Sequence, residues 1–425
     1  MTDTASLDEA SQPLRMRQFH LARQPLLDRN QALYGYELLF RGSAVGPAQF
    51  DSGLSASASV IHHASQLGLP RVIGDAHAFL NVDRDTLMSD IFAFLPRERT
   101  VLEITATVEP DDAVIARMGE LAKHGFRFAA EASAHGNALA RLLPVIDFVK
   151  MDLRELPVVT LLSLAPRLRG TGKRLVAEKV ETHNEYRTCL DIGFDYFQGY
   201  YFAKPTVIAG RKLSPSQAAV LDLMNLVTSD ADNAEIERAV KKDVTLGLNL
   251  LRLVNTPAAG NGRRIESVSQ ALVLLGRRQL QRWLQILLYA EPGVRGHNLS
   301  PLLMLATTRA RLMELLAERL RPGQRNVADI AFTVGMMSLM DTLFCIPMQD
   351  IVEQIPVIDE VRHALLVRRG FFGELLRLAE SIERMEDAQD EVMPALNELS
   401  MNGDDLAELE VSAFEWSDKV VRYAI

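Results

Sequence analysis

Short apolar runs alternate with longer amphipathic segments over the first half of the chain, and this alternation limits the fold more than any other feature. Between Gln18 and about Pro205, helical patterns such as Asp111–Lys123 separate several of the runs. Repeated strand–helix units build a parallel sheet. Seven or eight units in about 190 residues fit a closed (β/α) barrel better than an open sheet. The runs are YELLF (36–40), AFLNV (78–82), TVLEIT (100–105), FRFAAEA (126–132), FVKMDL (148–153), RLVAEKV (174–180) and YFQGYYF (196–202).

The second half of the chain has the pattern of a helical domain. β-branched runs nearly vanish after residue 205, and Ile236, Val240 and Val244 recur every four positions. Ser300 followed by a proline predicts the start of a helix that continues through Leu320. We expect an α/β domain followed by an all-α domain. The expected divisions are a disordered leader (1–17), the barrel (18–206), the helical domain (214–385) and an acidic C-terminal tail (386–425) whose short helices pack on the helical domain.

Composition and charge narrow the class of protein. The chain has 46 Lys and Arg against 55 Asp and Glu, a formal net charge of -9, so a surface that coats nucleic acid or anionic lipid is not expected. Two cysteines suit a reducing compartment. The first residues lack the basic and apolar regions of a signal peptide. The apolar stretch Ile330–Ile346 contains Asp341 and is too short to span a membrane, which favours a core helix. We therefore expect a cytoplasmic protein.

Polar side chains recur at the carboxyl ends of the strand-like runs. In a (β/α) barrel these ends assemble the active site from many strands. Carboxylates and an amide carbonyl are ligands for Mg²⁺, Mn²⁺ or Ca²⁺, while Lys and Arg suit a phosphate. Any one of these residues alone is more typical of a solvated rim, but their repetition in phase favours a metal-assisted phosphodiester site. The residues are Glu37, Arg41, Asn81, Glu103, Glu131, Lys150, Asp152, Glu178, Glu181 and Gln198.

Residues 18–206 resemble the EAL domain of cyclic-di-GMP phosphodiesterases. The resemblance rests on RQPLLDRNQALYGYELLFR, FLNVD, VLEIT, VKMD, VAEKVET and FQGYYFAKP, which follow in the family's order. It implies a TIM-like barrel that uses Mg²⁺ or Mn²⁺ and acts on cyclic di-GMP. By position, the implied metal ligands are Glu37, Asn81, Glu103, Glu131 and Glu178. The implied catalytic residues are Lys150, which orients the attacking water, Gln198, and Glu181, which steadies a loop; the implied nucleotide-binding residues are Arg41 and Asp152.

The sequence departs from the family after the fourth strand-like run. Active members have Asp-Asp-Phe-Gly there, whereas this chain has Glu131-Ala132-Ser133. Ala132 offers no carboxylate, and a two-ion site depends on such charges. We expect hydrolysis to be absent or very weak, so that the protein acts in signalling through protein contacts and bound nucleotide. An active phosphodiesterase and a sensor that binds cyclic di-GMP without cutting it stay open as alternatives.

Residues 214–385 resemble an HDOD domain, the non-catalytic relative of the HD phosphohydrolases. The stretches that carry the resemblance are LSPSQAAVLDLMNLV, DVTLGLNLLRLVNTPAAG, IESVSQALVLLGRRQLQRWL and AFTVGMMSLMDTLF. An active HD hydrolase needs several histidines and a His-Asp pair for its metal, and this region has only His297 and His363. We expect this domain to bind a protein partner or to dock on the barrel. A homodimer stays open.

Overall fold

A computed structural model of the chain describes both halves of the molecule. The expected leader and the expected boundary at 206–214 lie outside the described residues. The described residues are 19–42, 68–203, 215–229, 231–255, 265–289, 300–355, 357–384, 392, 394–396, 399, 401 and 403–424.

Eight strands close into a barrel in chain order, which confirms the (β/α) architecture. The first strand runs antiparallel to the second and the eighth, and the other neighbouring strands are parallel. The sequence pattern missed the first strand because Arg, Gln, Pro and Asp interrupt its apolar residues. The last expected run, 196–202, is a strand only over its first three residues. The strands are β1 (Phe19–Asp28), β2 (Leu33–Gly42), β3 (His77–Val82), β4 (Thr100–Ile104), β5 (Arg127–Glu131), β6 (Phe148–Asp152), β7 (Arg174–Glu178) and β8 (Tyr196–Gln198).

Side chains fill the barrel in layers. One layer is a buried cluster of Leu26, Phe79, Val101, Ala129, Phe148, Val176 and Tyr196. Successive side chains of a strand point to opposite faces, so the residue two places further on returns to the interior. In β3 to β8 that residue is always polar, and the set is Asn81, Glu103, Glu131, Lys150, Glu178 and Gln198. The apolar layer therefore supports a polar layer at the carboxyl ends of the strands.

Short and medium helices connect the strands. The helix expected over Asp111–Lys123 begins one residue later, because the Asp111 side chain accepts a hydrogen bond from the Val114 amide at 2.9 Å and caps it. Its buried face consists of Val114, Met118 and Leu121. The helices are α1 (Leu69–Ile73), α2 (Arg84–Met88), α3 (Asp112–Lys123), α4 (Ala132–His135), α5 (Leu139–Leu142), α6 (Val158–Arg169) and α7 (His183–Ile192), with 3₁₀ turns at Ile91–Phe94, Arg97–Arg99 and Gly136–Ala138.

The described residues from 215 onward form helices and no strand, as expected. The Ser300 hydroxyl caps the helix that ends at Leu320, which confirms that prediction. The helices are α8 (Pro215–Thr228), α9 (Asn233–Lys242), α10 (Val244–Val254), α11 (Val268–Tyr289, broken at Gly276), α12 (Pro301–Leu320), α13 (Arg325–Met337), α14 (Met340–Phe344), α15 (Met348–Gln354), α16 (Asp359–Val367), α17 (Gly370–Glu383) and α18 (Gly403–Ala424).

Among the described helices, the stretch Arg325–Phe344 has the length and hydropathy that a membrane span would need. Within its most apolar window, 61% of the residues are buried inside the fold. α13 also ends at Met337, and a new helix begins at Met340. These features fit the core helix expected from the sequence.

The C-terminal helix α18 contacts both halves of the molecule. Where the sequence predicts short helices in the tail, the structure has a helix of 22 residues over Gly403–Ala424. Its Ser417 hydroxyl lies 2.6 Å from that of Thr307 on α12. The same helix also contacts the barrel, because Asp418 pairs with Arg23 of β1 at 3.3 Å. The tail therefore joins the two halves.

Candidate active site

Lys150 lies at the centre of a buried cluster at the barrel mouth. Its Nζ atom is 2.9 Å from Glu37 Oε2, 2.7 Å from Glu103 Oε2 and 2.7 Å from Glu178 Oε1. The lysine side chain is 1% exposed, and the side chains of Glu37, Glu103 and Glu178 are 8%, 10% and 14% exposed. Strands β2, β4, β6 and β7 thus bring one positive and three negative groups into contact away from water.

Neutral amides complete the surroundings of Glu37. The Asn81 side chain donates to Glu37 Oε1 at 3.1 Å, and Gln198 Nε2 donates to Glu37 Oε2 at 2.7 Å. Gln198 Nε2 also donates to Gln24 Oε1 at 2.6 Å. These contacts tie β1, β3 and β8 to the same cluster.

The carboxylates of this cluster differ in their affinity for a proton. Burial raises the pKa of Glu103 to about 8 and that of Glu178 to about 7, against the opposing effect of the Lys150 charge. Burial also acts to raise the pKa of Glu37, but Lys150 and the hydrogen bonds from Gln198 and Asn81 hold it below its usual value. Burial acts to lower the pKa of Lys150, and the surrounding carboxylates raise it well above the usual range. The positive charge of Lys150 therefore balances the negative charge of about one of the three carboxylates.

The cluster fits a divalent cation. Carboxylate and amide oxygens are the ligands that Mg²⁺ and Mn²⁺ prefer. With all three glutamates ionised, the single Lys150 charge leaves an excess of negative charge in a buried site, which is costly without a further cation. Glu37, Asn81, Glu103 and Glu178 are the residues that would hold the ion.

A second group of carboxylates adjoins this cluster. Oxygens of Glu131, Asp152 and Glu155 all lie within 4.8 Å of one another. Asp152 also pairs with Lys179 at 3.0 Å, and Glu131 accepts a hydrogen bond from the Ser133 hydroxyl. Ala132, which follows Glu131, is buried and contributes no oxygen ligand from its side chain.

One of the expected site residues lies apart from the cluster, and the side chain of another is not described. The carboxylate of Glu181 pairs with the guanidinium of Arg154 near the surface, outside the Lys150 cluster. Arg41 belongs to β2 and lies opposite His20, and its side chain is outside the described residues. The structure thus gathers the remaining expected residues, including Glu131 and Asp152, at one end of the barrel.

Several residues near the site escaped the sequence analysis. Gln24 lies on the missed strand β1, and only its place in RQPLLD could have indicated it. Lys179 and Glu155 carry no local signal, because their partners are distant in the sequence or lie in a loop. Gly199 has φ 145°, and a Cβ atom there would lie 2.1 Å from the Val180 carbonyl oxygen. Only glycine fits this close approach, which holds the loop after Gln198 against the segment that follows β7.

Comparison with known proteins identifies the two halves of the chain. The model of the EAL domain matches residues 6–205, and the model of the HDOD domain matches residues 213–363. A Vibrio cholerae protein named cyclic di-GMP phosphodiesterase CdgJ is 31% identical over 408 residues, which are 95% of this chain and 93% of that protein. This chain is an EAL–HDOD protein. The order of its domains is shared along nearly the whole length of that relative.

Two further relatives extend the comparison. The uncharacterized protein YuxH of Bacillus subtilis is 30% identical over 376 residues, covering 87% of this EAL–HDOD chain and 91% of YuxH. The Bacillus subtilis YkuI protein, solved with its substrate c-di-GMP and calcium, is 20% identical over 61% of this chain and 71% of that chain, with a TM-score of 0.36. The EAL–HDOD assignment rests on the family models and the full-length relatives.

Proposed function

We propose that the EAL barrel hydrolyses cyclic di-GMP and needs Mg²⁺ or Mn²⁺ to do so. The observation that carries this proposal is the buried cluster of Glu37, Asn81, Glu103 and Glu178 around Lys150 at the carboxyl ends of the strands. The full-length relative that is named a cyclic di-GMP phosphodiesterase supports the same reaction. The carboxylate of Glu155 adds an oxygen within 4.8 Å of the oxygens of Asp152 and of Glu131, the residue before Ala132.

Each residue of the cluster has a role in this reaction. A bound divalent ion would lower the pKa of a water molecule and offset charge on the phosphate oxygens. Glu37, Asn81, Glu103 and Glu178 hold the ion, and the Lys150 ammonium orients the attacking water. The water oxygen bonds to one phosphorus atom while a ribose oxygen leaves, so the cyclic substrate opens to a linear dinucleotide.

The experiment follows turnover by the full chain. Purified protein is incubated with cyclic di-GMP and either Mn²⁺ or Mg²⁺, and the linear product is separated by chromatography. We expect metal-dependent turnover that Glu37→Gln abolishes, because that change removes a central ligand. Glu120→Gln, at an exposed position on α3, is the matched control and should leave turnover unchanged. Absence of product with both ions would contradict the proposal.

A second candidate function is binding of cyclic di-GMP without hydrolysis. Ala132 favours it, since the family pattern has a carboxylate at that position and this chain has a buried methyl group. In that case wild-type protein binds cyclic di-GMP in Ca²⁺ but forms no product in Mn²⁺. The double change Glu131→Asp and Ala132→Asp should then create turnover. If the wild type already cleaves the substrate, this second candidate is wrong.

We also infer that the HDOD domain binds a protein partner in the cytoplasm. Val273 and Leu274 on α11 are large apolar side chains that are 74% and 46% exposed. Adjacent exposed apolar groups of this kind mark interaction surfaces when they form a patch. A partner should co-purify with the full chain and be lost when Val273→Ser and Leu274→Ser are combined.

The division of the chain between residues 206 and 214 stays a prediction. Limited proteolysis tests it, because a linker between two domains should be cut first.

A further inference from the structure

A cavity of about 530 Å³ lies between the barrel and the helical half of the molecule. Its barrel side includes Gln24, Tyr36 and Phe202, and its helical side includes Met304 on α12 and Glu410 on α18. Ligand sites of small molecules commonly have about this volume and lie between domains. Most of the Lys150 cluster lies apart from its lining.

Glu410 is the unusual group in this cavity. Its side chain is 1% exposed, yet neither carboxylate oxygen has a hydrogen-bond partner among the described residues. Burial raises the pKa of this carboxyl well above its usual range. A buried polar group without a partner costs roughly 1–3 kcal/mol, so retaining one in a cavity wall indicates a missing partner.

Tyr36 shares this feature. Its ring is buried at the barrel surface of the same cavity, and its hydroxyl also has no hydrogen-bond partner among the described residues. The guanidinium carbon of Arg23 lies 4.2 Å from the centroid of this ring and 3.9 Å from the centroid of Phe414, one helical turn after Glu410. Arg23 itself is held by Asp418. The two aromatic side chains are therefore fixed in position beside two polar groups that lack partners.

This chemistry selects a particular class of ligand. In its ionised form the Glu410 carboxylate offers two acceptor oxygens side by side, which match a ring N–H and an exocyclic amino group on the same edge of a planar base. Two N–H donors that approach the carboxyl together also favour its ionised form against the effect of burial. Protein sites that take up an unstacked base combine such edge contacts with aromatic or apolar walls. Among the common bases, guanine carries this adjacent pair of donors.

We propose that the cavity between the barrel and α18 binds the guanine base of a nucleotide, with Glu410 accepting its two N–H groups and Tyr36 contacting the same ligand. Gln24 connects this cavity to the active site, because it accepts a hydrogen bond from Gln198, which in turn donates to Glu37. Binding in the cavity requires neither a metal ion nor hydrolysis. It is therefore separable from the function proposed for the barrel.

The test is equilibrium binding to the full chain in EDTA, measured by calorimetry with GMP, IMP and AMP. IMP lacks the exocyclic amino group, and AMP lacks the ring N–H. We expect GMP to bind at least about tenfold more tightly than either, which corresponds to losing one hydrogen bond to a charged group. A parallel titration with cyclic di-GMP distinguishes a free nucleotide from the cyclic dinucleotide as the source of the base.

Variants locate the bound base. Glu410→Gln should weaken GMP binding at least about tenfold, since an amide replaces one acceptor with a donor. Glu415→Gln lies on the same helix at an exposed ion pair and should have no effect. Tyr36→Phe removes only a hydroxyl and should also weaken GMP binding. It is the variant that tests the proposal if Glu410→Gln fails to fold.

Three results would overturn the proposal. One is equal affinity for GMP, IMP and AMP, and another is no binding of GMP at millimolar concentration. The third is binding that Glu37→Gln abolishes while Glu410→Gln and Tyr36→Phe, both folded by circular dichroism, leave it unchanged. That third pattern would place the nucleotide at the barrel mouth, whatever the outcome of the hydrolysis assay.

Discussion

At the scale of single residues, the balance of charge around Lys150 determines the state of the barrel mouth. Glu37, Glu103 and Glu178 share one buried ammonium group. Burial alone disfavours the ionised form of each carboxyl group, and the single Lys150 cation offsets only part of that effect. In the absence of metal, the mouth therefore retains protons at pH values where ordinary glutamates have lost them.

This retention predicts how the stability of the metal-free protein depends on pH. Glu103 and Glu178 have pKa values raised from 4.5 to about 8 and about 7, so the folded state binds more protons than the unfolded state in that interval. The free energy of unfolding should then fall as pH rises from 4.5 to 8, by up to about 8 kcal/mol, since one pKa unit corresponds to about 1.4 kcal/mol. Glu37 has a lowered pKa and acts in the opposite direction, at lower pH.

Urea unfolding in EDTA across this pH range measures the effect. Glu103→Gln should flatten the decline, because a neutral amide does not titrate. Adding Mn²⁺ should stabilise the protein most at pH 8, where the ligands are ionised. A free energy of unfolding that rises with pH in EDTA would show that the carboxylates are fully ionised in the folded state.

At the scale of elements, close packing of α12 against α13 holds the HDOD domain together. Gly335 on α13 faces Ala310 on α12, and a Cβ atom at Gly335 would lie 2.5 Å from the Ala310 Cα atom. The two backbones approach so closely that no side chain fits between them. A glycine within a helix is otherwise unfavourable, so its presence here reflects the packing.

Gly335→Ala should destabilise the protein by about 1–3 kcal/mol, the usual cost of overpacking a core. Gly119 on α3 is the matched control, since a Cβ atom there would meet nothing within 4 Å. Gly119→Ala should leave stability unchanged or raise it by up to about 1 kcal/mol, through helix propensity. Thermal unfolding of both variants is the measurement. Equal stability of the two would mean that the helices can separate at little cost.

At the scale of the whole molecule, α18 joins the barrel to the helical half. Arg23 on β1 is 4% exposed and pairs with Asp418, whereas Arg71 on α1 is 53% exposed and pairs with Glu415 of the same helix. Both ion pairs attach the barrel domain to α18, one from β1 and one from α1, but they differ in burial. Buried pairs are costly to break from one side, while exposed pairs contribute little.

Arg23→Met should therefore lower the free energy of unfolding by up to about 3–5 kcal/mol, because it leaves Asp418 without its partner. Arg71→Met should change it by about 0–1 kcal/mol. Denaturant unfolding measures the free energy of unfolding of both variants. The rate of proteolysis within α18 is the second readout. If both variants behave alike, the attachment of α18 does not depend on the buried pair.

The sequence by itself determined much of the local structure. It predicted seven of the eight strands, the helix capped by Asp111 and the helix that begins after Ser300, because side-chain alternation and caps act over a few residues. It also predicted the polar residues of β3 to β8 that lie at the barrel mouth, although it included Glu181, which pairs with Arg154 outside the Lys150 cluster. In β3 to β8 the polar residue follows an apolar interior residue by two positions, so the strand period alone places both on the inner face.

The tertiary structure decided what depends on residues far apart in the chain. The antiparallel β1 has no clear apolar period, and its pairing with β2 and β8 makes it a strand. Lys150 meets Glu37 from 113 residues away, and Arg23 meets Asp418 from 395 residues away. The charge shared at the mouth and the unpartnered Glu410 between the domains follow from burial, which only the folded chain creates.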